Sequence, residues 1–173
     1  KGALADAVRL YAKMLAIDRE NIDAHFRLAG ALTQLGRTDE AVARYKALAD
    51  MLSSSGVLDT SINWQFLITV YEQIVAIEPN NRTAREWLAD AYLAKGEREK
   101  GRVHLNELVR IRSDAQELKP LIAVLGKVLE LQPDNFNARR RLADAHVERG
   151  QRAEAVRELR TIGDLARQRG ELD

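Results

Sequence analysis

The sequence predicts an all-α fold made of one unit stacked on itself, and three observations carry that reading. Asn21-Ile22-Asp23-Ala24, Leu28-Ala29, Ala31 and Gly36 recur as Asn81, Ala84, Leu88-Ala89, Ala91 and Gly96. They recur again as Asn135, Ala138, Leu142-Ala143, Ala145 and Gly150. A fixed internal repeat is the mark of a supersecondary unit that buries its apolar face against its own copies. Apolar residues return at spacings of three and four throughout, and no segment alternates with the period of two that a strand requires. Turn-forming residues interrupt the pattern at matching places.

Nine helices follow in order. The stripe Leu10, Met14 and Ile17 marks a helix over 3–17. Leu28, Leu32 and Leu35 mark one over 22–35, opened by Asn21 and closed by Gly36. Val42, Tyr45, Leu48 and Leu52 place the third over 38–54. The greasy stretch from Trp64 to Val75, broken by Gln65, Thr69, Glu72 and Gln73, gives a fourth over 59–77 that stops before Pro79. Asn81 and Gly96 bracket a fifth over 82–95, and Gly101, Leu105 and Leu108 mark a sixth over 98–112. Pro120 sits in the first turn of a seventh over 118–131, where a missing N–H breaks no helical bond. Asn135 and Gly150 bracket an eighth over 136–149; Ala155, Leu159 and Ile162 mark the ninth over 152–168. Asn caps free N–H groups at a helix start, and Gly adopts the left-handed conformation at a helix end without penalty. Arg19 stands where Pro79 and Pro133 stand in the other copies, so the first turn is expected to be the least rigid.

The spacing sets the unit. Gly36 to Gly96 is 60 residues, Gly96 to Gly150 is 54, and Gly2 to Gly56 is again 54. Six extra residues therefore fall between Gly56 and Pro79, around Ser61 to Phe66. The chain reads as a single array over 1–173 with units near 2–55, 56–115 and 116–169. Gly2-Ala3-Leu4 resembles Gly56-Val57-Leu58, and the closing Gly170-Glu171-Leu172-Asp173 opens a helix that is not continued, so the array is expected to be a piece of a longer one.

Composition narrows the function. Charged residues are 31%, with 27 basic and 26 acidic side chains interspersed, so no basic stripe of the kind that neutralises phosphates is present and nucleic acid is not an expected partner. Aromatics are only 5%, which leaves Ala and Leu to pack closely spaced helices. No apolar run approaches the roughly 18 residues needed for membrane insertion. The chain has no Cys, no Gly-rich phosphate loop and no strained strand-to-helix Ser, so it is not read as an enzyme and no cofactor is expected. Ser53-Ser54-Ser55-Gly56 reads as a helix end. His25, His104 and His146 fall in three different units, which argues against a metal site.

Within each unit the residues resemble the tetratricopeptide repeat. The first helix gives Leu28-Ala29, Leu32 and Gly36, and the second gives Ala41, Tyr45 and Leu48. The next copy reads Leu88-Ala89, Tyr92, Gly96, Gly101, Leu105 and Leu108, and the last reads Leu142-Ala143, His146, Gly150, Ala155, Leu159 and Ile162. Further matches at Ala7, Tyr11 and Met14, at Tyr71 and Pro79, and at Leu121, Leu125, Val128 and Pro133 imply overlapping repeats, in which the helix 38–54 closes one and opens the next. The pentatricopeptide plan is related, but the Leu-small pair and the Pro before Asn favour the tetratricopeptide type. The large residue that opens a repeat is replaced by His25, Arg85 and Arg139.

That resemblance implies antiparallel hairpins stacked in a right-handed superhelical solenoid, with a protein or peptide segment as partner on a concave face. Projected on the family, Phe26, Arg27, Gly30 and Thr33 face the groove in the first unit. Glu86, Trp87, Asp90 and Leu93 do so in the second; Arg140, Arg141, Asp144 and Val147 do so in the third. The family's clamp for a chain-terminal carboxylate is absent, because Phe26 and Gly30 stand where it would begin. Trp87 either anchors a ligand or packs on a neighbouring helix. Trp64 and Phe66 either fill a gap left by the extra residues or form an apolar contact patch. The alternatives to a binding scaffold are a spacer that self-associates and a regulatory arm of a larger protein.

Overall fold

A computed structural model describes residues 2–54 and 61–170, with the backbone alone at 61–63. Every regular element among them is helical: α1 (Gly2–Ile17), α2 (Ile22–Gln34), α3 (Thr38–Ser54), α4 (Ser61–Ile77), α5 (Arg82–Ala94), α6 (Arg98–Asp114), α7 (Leu118–Leu131), α8 (Phe136–Glu148) and α9 (Arg152–Gln168). The all-α expectation holds, and most helix bounds agree with the sequence reading to within a residue or two. The chain divides into two compact units, Lys1–Ala84 and Arg85–Asp173, with the boundary in the first turn of α5. In the first, α1 to α4 pack in sequence order around Leu15, Leu28, Leu48, Leu52, Leu67 and Ile74. In the second, α6 to α9 pack likewise, with Ala89, Leu105, Leu108, Leu125, Val128 and Leu142 in one core cluster. Within the units, the three- or four-residue connections at α1–α2, α2–α3, α5–α6, α6–α7, α7–α8 and α8–α9 leave those neighbours no path except to double back.

The three Asn caps share one geometry. Asn21, Asn81 and Asn135 each accept, through Oδ1, from the N–H of the third residue onward, at 2.9, 2.9 and 3.0 Å. Each also donates through Nδ2 to the side chain three residues back: Asp18 at 3.4 Å, Glu78 at 2.6 Å and Gln132 at 2.9 Å. One side chain thus ties the helix start to the preceding turn. Asn135→Ala should cost about 1 kcal/mol, read as a lower urea midpoint with unchanged slope.

The residues that replace the family's large opening side chain continue this device. His25 is buried and donates from Nε2 to the Arg19 carbonyl at 3.0 Å. Arg139 donates from Nε and Nη2 to the Pro133 carbonyl at 2.9 and 2.7 Å, and from Nη1 to Glu158 at 2.8 Å. In both copies a donor spans the turn to a carbonyl six residues earlier, which satisfies a group that the ended helix leaves open. Arg85 is buried at the same position, and loss of hydration holds its guanidinium below its ordinary value while Glu107 opposes that shift.

Gly36, Gly96 and Gly150 turn with φ of 75°, 78° and 74°. In each case the following N–H reaches back to a carbonyl five residues earlier, from Arg37 to Leu32, Glu97 to Tyr92 and Gln151 to His146. The α6–α7 turn is built the same way, Glu117 N–H to Arg112 carbonyl at 2.9 Å, but its left-handed residue is Gln116, with φ 54°. Gln116 lies 60 residues after Gly56 and 54 before Gly170, so the period places it at a glycine position that this copy lacks. A left-handed residue with a Cβ costs about 1–2 kcal/mol, part of which glycine returns as entropy lost on folding. Gln116→Gly should therefore stabilise the chain by about 0.5–1 kcal/mol, measurable as a raised melting temperature.

At 17 residues α4 is longer than α7 at 14, so three of the six extra residues lengthen its start. The rest of that expectation, the helix end at Gly56, and the segment Glu171-Leu172-Asp173 lie outside the described residues. No helix among them is long and apolar enough to cross a membrane.

Candidate partner-binding site

Helices α6, α7 and α8 enclose a concavity of about 460 Å³ in the second unit. Its floor is apolar, made by Val109, Leu125, Val128 and Ala138, and its rim is polar, made by Asn106, Asn137, Arg140, Arg141 and Asp144. The 3.6-residue period sets 137, 140, 141 and 144 on one face of α8, and the Asn135 cap fixes where that face begins. A second concavity of about 320 Å³ adjoins it, sharing Arg141 and Asp144 and extending to Glu148, Ser113 and Gln116 over Leu118, Leu121 and Ala145. The two together form a trough along α8. Arg140, Arg141 and Asp144, all exposed, make no side-chain hydrogen bond or ion pair among the described residues, and neither do Asn106 and Asn137. Arg139, next in line, is spent on the turn.

The first unit carries the same concavity at the same repeat position. About 240 Å³ is lined there by Lys46, Ala49, Tyr71, Ile74, Asn81, Thr83 and Ala84, which match Asn106, Val109, Leu125, Val128, Asn135, Asn137 and Ala138 by the 60- and 54-residue offsets. Its rim differs in chemistry. Lys46 approaches Glu78 at 3.6 Å, and Asp50 also lines it. Burial pushes the Tyr71 phenol above its ordinary value, and the negative Asp50 adds to the shift.

The other expected site residues take up varied positions. Phe26 on α2 packs against Tyr45 edge-on at 5.7 Å and against Phe66 at 5.2 Å. A residue expected at the groove and one expected at a contact patch thus belong to one aromatic cluster, and burial raises the Tyr45 phenol within it. Arg27 is exposed and held by Asp23, with Nε 2.8 and 2.6 Å from the two carboxylate oxygens, which raises the guanidinium above its ordinary value. On α5, Glu86 binds Arg112 and Asp90 binds Lys127, the latter at 2.5 Å. Trp87 and Trp64 are each half-buried. His25 serves the turn described above, His104 stacks on Tyr92 at 5.8 Å, and His146 donates from Nδ1 to Gln151 at 3.0 Å.

Asn106, Asn137 and the floor residues were not among the expected positions. They come from α6, α7 and the start of α8, and a projection of the opening helix alone could not gather them. The available signal was the repeat offset itself, applied to all three helices of a unit together.

A tetratricopeptide repeat model matches residues 1–51, 68–125 and 122–172. No curated protein matches the sequence. Among solved structures, MamA 41-end from Desulfovibrio magneticus RS-1 is 16% identical, with 96% of this chain and 88% of that one covered at a TM-score of 0.36. A second MamA structure, AMB-1, is 17% identical over 96% and 84% at 0.43. YrrB, described as a TPR protein with an unusual peptide-binding site, is 14% identical over 99% and 85% at 0.35. Superpositions at these scores carry no weight beside the repeat match.

Proposed function

The chain belongs to the tetratricopeptide repeat family, a family of protein-interaction scaffolds, and from that premise we propose that it holds an extended peptide segment of a partner in the concavities beside its opening helices. One observation carries this reading: a concavity recurs at the same repeat position in both units, with an apolar floor and a variable rim. Packing defects would not be expected to repeat in register, whereas a surface used by each copy of a repeat would. The unengaged rim of α8 supports it, since Arg is a favoured binding anchor and these side chains need not break an internal pair first. The packing of Phe66 against Phe26 leaves less apolar surface there for self-association.

Site-specific photo-cross-linking tests the reading. A photoreactive residue at Lys46, Asn106 or Asn137, all exposed, should capture a discrete partner from a native extract. The same group at Ala123 or Arg157, outside both concavities, should not. Capture at the control positions alone would exclude the concavities as the site.

A further inference from the structure

We infer that the α8 trough selects an internal peptide segment with an acidic and a basic side chain about four residues apart and aliphatic side chains between them. The inference rests on the partner-binding reading above and adds the chemistry of what is bound.

The charge along the trough is ordered. The concavity at its N-terminal end is rimmed by Arg140 and Arg141 with Asp144, a net positive rim, and by the amides of Asn106 and Asn137. The adjoining concavity is rimmed by Arg141 with Asp144 and Glu148, a net negative rim, and otherwise by the neutral Ser113 and Gln116. Arg140, Arg141, Asp144 and Glu148 form no ion pair among the described residues, so each is available to an opposite charge. Each concavity has its own aliphatic floor, Val109, Leu125 and Val128 in one and Leu118 and Leu121 in the other. From 140 to 148 the helix advances about 12 Å, at about 1.5 Å per residue. An extended peptide covers that distance in about four residues, at about 3.3 Å each. A carboxylate over Arg140 and an ammonium beside Glu148 are then joined by a strand whose intervening side chains reach both floors. Nothing in this arrangement calls for a chain terminus.

Three peptides blocked at both ends test it: Ac-SGELSLKGS-NH2, its charge-reversed partner Ac-SGKLSLEGS-NH2, and the neutral Ac-SGQLSLQGS-NH2. Each is titrated into the 15N-labelled chain and followed by amide chemical shifts, which register weak binding and locate it. One charged order should perturb the amides of α8 and bind about tenfold more tightly than the neutral peptide. Arg140→Gln with Arg141→Gln, and separately Glu148→Gln, should each remove most of that preference. These residues are exposed and unpaired, so the fold should persist, and unchanged shifts elsewhere verify it. Equal affinity for all three peptides, or a charged preference untouched by the variants, overturns the charge assignment while leaving the trough in use. Shifts confined to other helices, or none, overturn it as well, and cross-linking at Asn137 then decides separately whether the concavity binds a partner at all.

Discussion

Arg112→Ala should lower stability by about 3 kcal/mol, the largest loss expected from removing a single side chain's polar contacts. The Arg112 side chain is only 9% exposed, and it binds Glu86 on α5 and Glu117 in the α6–α7 turn, the latter at 3.0 Å. A hydrogen bond between charged groups contributes about 1.5–3 kcal/mol. Both carboxylates are partly exposed, at 45% and 30%, so water recovers part of the loss and the two contributions do not simply add. The register supplies a control. Leu52 and Ala166 occupy the corresponding positions on α3 and α9, so Arg112→Leu restores an apolar side chain where the repeat carries one. It should lose about 1 kcal/mol, because a well-packed apolar side chain offsets much of a buried pair. Urea unfolding of both variants checks the ordering. Equal losses would mean that the charge contributes nothing beyond its volume.

Gly101→Val should cost about 3 kcal/mol for the opposite reason. A Cβ at Gly101 would lie 2.7 Å from Leu93 Cδ2, 2.8 Å from Leu93 Cγ and 3.2 Å from the Ala89 carbonyl oxygen. The Leu93 side chain can swing aside, but the carbonyl belongs to the backbone of α5 and cannot move without the helix. Overpacking of this kind costs about 1–3 kcal/mol, and a β-branched side chain sits at the upper end. Gly101→Ala should lose less, because alanine recovers about 1 kcal/mol of helix propensity. Ala41 and Ala155 hold the matching positions, so the other two copies carry the methyl that would clash on α6. Thermal unfolding should rank parent, alanine and valine in that order.

The helices were legible in signals local to them: an apolar stripe along each, with an Asn at the start and a Gly at the end of α2, α5 and α8. What escaped were positions whose meaning lies in another element. Gln116 turns like a glycine, although its side chain gives no hint; only its distance from Gly56 and Gly170 does. Arg112 looks like one more charge on a charged helix until the offset sets it against Leu52 and Ala166. His25 and Arg139 read as departures from the family's large apolar residue, yet they keep its place by bonding across the turn. The site divides the same way. Arg140, Arg141 and Asp144 were within reach because one helix carries all three. Glu86 and Asp90 were equally visible as acids expected at the groove, but their cations, Arg112 and Lys127, lie 26 and 37 residues further along the chain.

The paired concavities separate what holds the array together from what distinguishes one copy from another. Asn81 and Asn135 cap, Ala84 and Ala138 let helices approach, and Ile74 and Val128 fill the floor; these positions keep their character in both units. Lys46 against Asn106 and Thr83 against Asn137 differ at the rim, and Tyr71 against Leu125 differs at the floor. On the proposed reading, recognition can be rewritten in one copy without drawing on the stability of either, and duplication of a unit supplies a fresh surface on an existing frame. Adaptation of such a chain to a new partner then needs only a few exposed substitutions.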